Sequence, residues 1–314
     1  MDEIAGSTER RSDRAFRWLL TAVGLAIVLL LLGVFAELVM GSANAFRVFG
    51  IDFLTNDIWD ESSATYGALP FIAGTLATSA FAMLIAVPVG ILTAIFLSEM
   101  APTWLAVPLT FAVDLIAALP SVIIGLWGLY ILSVVTRDWV ETPIVSNFGS
   151  LPFLGSNAGG SDLFTASLLL ALMVTPTIVS LSQEVFATVP QMHREAMLGL
   201  GGTRWEMIRK VILPLSWGGI SAAAILALGR AMGETMAVAM TIGNVDQVPS
   251  GIFDPAQTIS SKIALTWSEA SIGLETDSVI GLGLCLLVVS VAMVFVARRL
   301  VRGRTLAALG VQSG

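Results

Sequence analysis

The chain has 314 residues, 56% hydrophobic and 12% charged, with a formal net charge of -7. Several apolar stretches are long enough to cross a bilayer, which excludes an ordinary soluble fold and points to an all-α, polytopic membrane protein. The single cysteine, Cys285 in the last apolar stretch, excludes a disulfide framework and a thiol metal site.

A tail, residues 1–17, carries Arg10, Arg11, Arg14 and Arg17 and leads into the first apolar window, Trp18 to Met40. The stretch "SANAF" at 42–46 resembles a small-residue cleavage site. The apolar run before it is longer than a signal-peptide core and includes Glu37 near its outer end, so a retained anchor is expected. Residues 41–69 read as an extracytoplasmic segment. Further windows run from Pro70 to Leu97, Trp104 to Val135, Leu163 to Leu181, Leu215 to Ile242 and Val279 to Ala297, making six spans in all. The third is long enough to tilt, bend or extend past the bilayer. Pro88 and Pro120 mark bend points in the second and third. Residues 136–162 and much of 243–262, rich in Gly, Ser, Asn and Pro, read as loops. The membrane core is taken as 70–298, followed by a tail at 299–314.

Basic residues separate by loop. The first tail, the segment holding Arg194, Arg204, Arg209 and Lys210, and the segment holding Arg298, Arg299, Arg302 and Arg304 fall on one side of alternating spans. Arg47, Arg137 and Lys262 fall on the other. The positive-inside rule therefore places both termini in the cytoplasm. The opposite loops carry many acids, among them Asp52, Asp57, Asp60, Glu61, Asp246 and Glu275. Such a face would not attract anions unaided.

Residues 182–214, "SQEVFATVPQMHREAMLGLGGTRWEMIRKVILP", mix charged and apolar positions at helical spacing and belong at the surface. Pro190 opens one short helix, and Gly199, Gly201 and Gly202 end it. Thr203 followed by Glu206 is a capping-box pattern that starts a second helix running towards Ile212, and Pro214 marks entry to the fifth span. Two short helices around a glycine corner suit either docking of a cytoplasmic partner or a linker resting on headgroups.

Within the fifth window, Arg230 and Glu234 interrupt an apolar run. Counted from Ile220, Arg230 lies about 15 Å into the span, near the bilayer midplane. A central charge costs roughly 2.5 to 3.5 kcal/mol, so both residues should face protein or water. Four positions apart on a helix they would share a face and partly neutralise each other. Gly229 and Gly233 would admit a second helix or a substrate. The pair suits either a structural staple or a functional site.

The loop matches a known pattern at Glu195, Ala196, Gly201, Leu213 and Pro214, with Met197 and Val211 standing where Ala and Ile are usual. This resembles the cytoplasmic-loop signature of ABC importer permeases. "GTLATSAFAMLIAVPVGILTAIFLSEMAP" at 74–102, "LPSVIIGLWGL" at 119–129, "ALGRAMGETMAVAMTIGN" at 227–244 and "ISSKIALTWSEAS" at 259–271 narrow the likeness to the PstC-type permeases of phosphate ABC importers.

That resemblance implies a type I, MetI-like permease core in the cell membrane. It further implies a homologous PstA-type permease, a PstB-type ATPase dimer docked on the loop, and a PstS-type protein delivering inorganic phosphate to the acidic outer face. Arg230, Glu234, Thr235 and Asp114 are the expected pathway residues. In the pathway Arg230 offers its guanidinium fork to phosphate, Glu234 competes for it, and Asp114 is a further partner for Arg230. Thr235 either adds a hydroxyl or bonds back to its own helix. The chain has no P-loop and no HExxH, so no catalysis, cofactor or metal is expected of it, and no nucleic-acid binding. Sulfate or molybdate would suit an arginine equally. Buried acid and base also mark ion-gradient transporters, and Asp114 with Glu234 would be the pair in a membrane-embedded enzyme.

Overall fold

The computed structural model describes residues 2–148, 153–155 and 158–308. Among them, six helical stretches are long and apolar enough to cross a membrane: Phe16–Phe49, Leu69–Met100, Ser121–Asn147, Leu163–Ala187, Arg204–Gly233 and Leu274–Arg299.

Helix α1 (Asp2–Phe49) contains the first span and runs well past the expected anchor. A short α2 (Asp52–Thr55) and an antiparallel pair, β1 (Trp59–Asp60) and β2 (Thr65–Tyr66), lead to α3 (Leu69–Ile95), which has Pro70 in its first turn. Pro88 stays inside α3, which continues through a π-helical turn, Phe96–Met100.

The third expected span is not one helix. Helix α4 (Thr103–Ala118) is separated from α5 (Ser121–Trp127) by Leu119 and Pro120, both with ψ of 135°. Proline lacks a backbone donor and disfavours helical geometry in the residue before it, which breaks the helix here. The crossing stretch begins at Ser121 and outlasts Val135. It passes a π-helical turn (Gly128–Leu132), α6 (Ser133–Thr136), a second such turn (Arg137–Glu141) and α7 (Thr142–Phe148). The expected loop at 136–162 is thus helical as far as Phe148.

Helix α8 (Leu163–Ala187) is the most deeply packed element, and α9 (Gln191–Gly199) follows it. Next, α10 (Arg204–Met207) passes through a π-helical turn (Ile208–Ile212) into α11 (Leu213–Gly233) without a break. The second short helix expected in the connecting loop is therefore the first turns of the fifth span. The widened turn accommodates Pro214, which has no N–H to donate and whose ring needs room in the preceding turn. The same span ends early, at Gly233; α12 (Met236–Thr241) is separate. Helix α13 (Ile259–Thr266) occupies part of the expected loop, and α14 (Leu274–Ala308) carries the last span.

The core forms where α3 and α11 pack on α8, with Ala82, Ala86, Ala166, Ala171, Ala227 and Ala231 buried at the seam. Small side chains let helix backbones approach and gain dispersion contacts, the main attraction between helices when lipid replaces water. Helix α1 stands apart. Its residues from Trp18 to Phe35 are exposed, and it meets α14 beyond them, where Asn44 Nδ2 donates to Asp277 Oδ2 at 2.9 Å.

Two buried acids pin the start of α8. Asp162 caps it, Oδ1 accepting from Thr165 N at 2.9 Å. Glu141 accepts from Gly160 N at 2.8 Å and from the Thr165 hydroxyl at 3.3 Å. Burial, reinforced by the Glu141 carboxyl, lifts Asp162 to about 7 against the opposing pull of the bond from Thr165. Among the described residues its Oδ2 has no hydrogen-bond partner, which favours the protonated form. The folded-state value lies above the 3.8 of an ordinary aspartate, so between these two pH values the folded chain binds the extra proton. Stability should then fall as pH rises through that window. Asp162→Asn keeps an acceptor for Thr165, and it should flatten the fall in thermal stability between about pH 5 and about pH 8. Thermal unfolding in detergent at both pH values checks this; an unchanged slope would assign the pH dependence to other groups.

Candidate translocation and coupling site

The arginine and glutamate of the fifth window lie on either side of a helix end. Arg230 occupies the last turn of α11, where a cation faces the unpaired carbonyls favourably. Glu234 is already extended, with ψ of 130°. The two therefore do not stack four apart on one helix, and neither takes part in the four ion pairs among the described residues. Arg230, Gly229 and Gly233 are exposed in the single chain, while Glu234 and Thr235 are half-buried.

The break frees carbonyls that need donors. The Thr235 hydroxyl donates back to Gly233 O at 3.1 Å, and the Ser260 hydroxyl, from α13, donates to Glu234 O at 2.8 Å. Helix α13 is held in turn by a capping box between Thr258 and Ser261. Its first N–H, of Ile259, donates to the Thr75 hydroxyl of α3 at 2.9 Å. On another side, α5 lies close against α12. A Cβ on Gly125 would sit 2.8 Å from Met240 Sδ and 3.0 Å from Ala237 Cα, so only glycine allows this approach. The four segments singled out in the sequence, on α3, α5, α11–α12 and α13, thus meet around one interrupted helix. Ser260 and Thr75 were not singled out individually; the signal was the cap pattern "TISS" at 258–261.

Asp114 is not brought to Arg230. It lies on the exposed side of α4, where the Ser180 hydroxyl of α8 donates to Oδ1 at 3.4 Å. A nearby crevice of about 410 Å³, lined by Ile85, Val113, Trp127, Leu172 and Pro176 among others, is mostly apolar and has no charged residue in its lining. A more polar hollow of about 500 Å³, beside Asp57, Trp59 and Asp246, lies next to Lys262, whose Nζ is 2.6 Å from Asp246 Oδ2.

The connection from α8 to α11 is built for display. Gly201 has φ of +84°, a left-handed conformation that L-residues rarely adopt. There Gly202 N donates to Met197 O at 3.1 Å and Gly201 N to Leu198 O at 2.9 Å, closing α9 in a Schellman pattern. The capping box starts α10, with Glu206 N to Thr203 Oγ1 at 3.2 Å and Thr203 N to Glu206 Oε2 at 3.0 Å. Glu195, Ala196 and Pro214 are exposed, and Leu213 is half-buried. Met192 and Leu200 are 69% and 86% exposed, an apolar surface displayed beside charged residues at a helix corner.

The interrupted helix and the displayed corner between two spans lie in the part of the chain that matches a family of membrane transport components. Residues 86–305 match the family described as "Binding-protein-dependent transport system inner membrane component". Solved structures of the same fold include a chain of a bacterial alginate ABC transporter, at 20% identity and a TM-score of 0.61 over 92% of this chain and 95% of that one. A chain of the inward-facing MetNI methionine ABC transporter aligns at 21% identity and a TM-score of 0.53, covering 76% of this chain and 94% of its own length. The phosphate transport system permease protein PstC of Mesorhizobium japonicum is 42% identical over 91% of this chain and 89% of its own length. That of Haemophilus influenzae is 39% identical over 92% and 93%. The chain belongs to the PstC family of phosphate transport system permeases and is a multi-pass inner-membrane protein.

Gly125→Val should force α5 away from α12 and lower thermal stability by about 1 to 3 kcal/mol, the usual cost of overpacking. Scanning the purified protein in detergent measures this, and an unchanged transition would mean that α5 and α12 separate freely.

Proposed function

We propose that this chain forms half of the membrane pathway of an ATP-driven phosphate importer, with Arg230 meeting the anion at the break after α11. The observation that carries this is an exposed guanidinium, in no ion pair among the described residues, at the interrupted helix of a PstC-family chain. A planar fork suits two phosphate oxygens. Glu234, a few residues away and in no ion pair among the described residues, limits how long an anion stays. Thr235 spends its hydroxyl on the backbone, and Asp114 takes no part in holding Arg230. A PstA-type permease covers the exposed face around Gly229 and Gly233 and supplies the other half of the pathway.

The exposed α9 corner docks on a PstB-type ATPase, with Glu195 and Ala196 at the contact and Gly201 holding its shape. Its displayed Met192 and Leu200 favour a protein partner over a bare aqueous face. On this reading α9 and both termini lie on the cytoplasmic side, in keeping with the basic loops. The acidic opposite face receives a PstS-type binding protein, so capture of the anion falls to that protein and not to the permease. ATP hydrolysis belongs to the separate subunit.

Arg230→Gln combined with Glu234→Gln should leave the complex assembled but reduce phosphate uptake in proteoliposomes at least about tenfold. Normal uptake by the double variant would make the pair structural. Glu195→Arg should leave membrane insertion intact and release the ATPase on affinity purification. Retention of the ATPase at wild-type yield would count against docking at α9. Sulfate and molybdate, added in excess, should compete weakly with phosphate for uptake by the wild-type complex; equal competition would widen the substrate class to oxyanions in general.

A further inference from the structure

Helix α9 touches the rest of the chain along a narrow face. Within it only Arg194 and Met197 are shielded from solvent even in part, and every other residue of the helix is exposed. Met197 packs against the apolar cluster of Ile95, Phe186, Ile208 and Ile212. Arg194 makes the polar attachment. One arm of its guanidinium pairs with Glu99, in the π-helical turn that ends the second span, and Nη2 donates to the carbonyl of Phe186 in the last turns of α8 at 2.7 Å. The side chains of Arg194 and Glu99 are only 16% and 5% exposed. Among the described residues this is the most buried ion pair, and the only one that joins α9 to a span.

We infer that Arg194 is a positioning residue, the strut through which displacement of α9 is passed to the inner ends of the second and fourth spans. The inference rests on the docking of an ATPase at α9 proposed above. A rigid fork bonded to two different helices holds them at a fixed distance from α9, which a flexible lysine would not do. The pair is shielded, so breaking one side leaves a buried charge without its partner and the attachment cannot simply be resolvated. The π-helical turn is the natural place for the received displacement to enter α3, because its hydrogen bonds are already out of α-helical register. Glu195, the neighbouring residue, is exposed, so adjacent positions divide the work: Glu195 faces outward to the docked subunit, Arg194 inward to the spans.

The test uses the full complex in proteoliposomes and reads two rates, ATP hydrolysis and phosphate uptake. Glu99→Gln and Arg194→Lys should both retain the ATPase on purification and hydrolyse ATP at close to the wild-type rate, while phosphate moved per ATP falls about tenfold. The exchanged pair, Arg194→Glu with Glu99→Arg, should recover much of that ratio. A merely structural pair would lower yield or both rates together, and that result, or an unchanged ratio in Glu99→Gln, overturns the strut. A wild-type complex that hydrolyses ATP without moving phosphate overturns the transport reading, and the strut with it.

Discussion

Every polar group of the backbone must find a partner inside a bilayer, and the rest of this structure follows from how that demand is met where α11 stops. In hydrocarbon an unpaired carbonyl costs several kcal/mol, so an interrupted helix persists only beside protein donors or water. Here two hydroxyls answer for it, Thr235 locally and Ser260 from a helix 26 positions further on. The position of α13 is thereby fixed, and α13 is in turn held by Thr75 of α3. A break that would be a defect in an isolated helix becomes the point on which three elements agree.

The charges fit the same logic. Arg230 gains from the carbonyl-rich end of α11 without needing Glu234, and neither side chain is committed to an ion pair among the described residues. Charges that neutralise each other permanently would only fasten the bundle. Charges held apart by the turn of the chain between them can exchange partners during a cycle. Where α9 meets the ends of the second and fourth spans the chain uses the opposite tactic: Arg194 and Glu99 are committed to each other and largely shielded from water. Uncommitted charge sits on the proposed pathway, and committed charge sits under the proposed drive.

How much of this was readable from the sequence depends on how local each cause is. The Thr203–Glu206 box, the glycine stop at 201 and the opening proline at 190 act within a few residues, and the helices they bound are where those residues put them. Pro120 was legible as a disturbance but not as a complete break, because a proline can bend a helix or end it and only its neighbours decide which. Pro88, in an equally apolar run, does not end its helix. The end of α11 at Gly233 was hidden, since apolar composition continues past it and the donor that tolerates it is remote in sequence. Residues 136–148 have loop-like neighbours, and their helix leans on Glu141, whose partners Gly160 and Thr165 come later in the chain. Arg194 was counted only for the sign of its charge. Its partner lies 95 positions earlier, beyond the reach of any local pattern.

The detachment of α1 bears on how the protein is made. From Trp18 to Phe35 this helix leans on no other part of the chain, so its own hydrogen bonds and apolar side chains are all that its membrane stability requires over that length. It can insert and settle its orientation without contacts from the remaining spans. The later spans each bury part of their length within the chain and depend on those contacts. They then assemble against a chain whose direction across the membrane has already been decided.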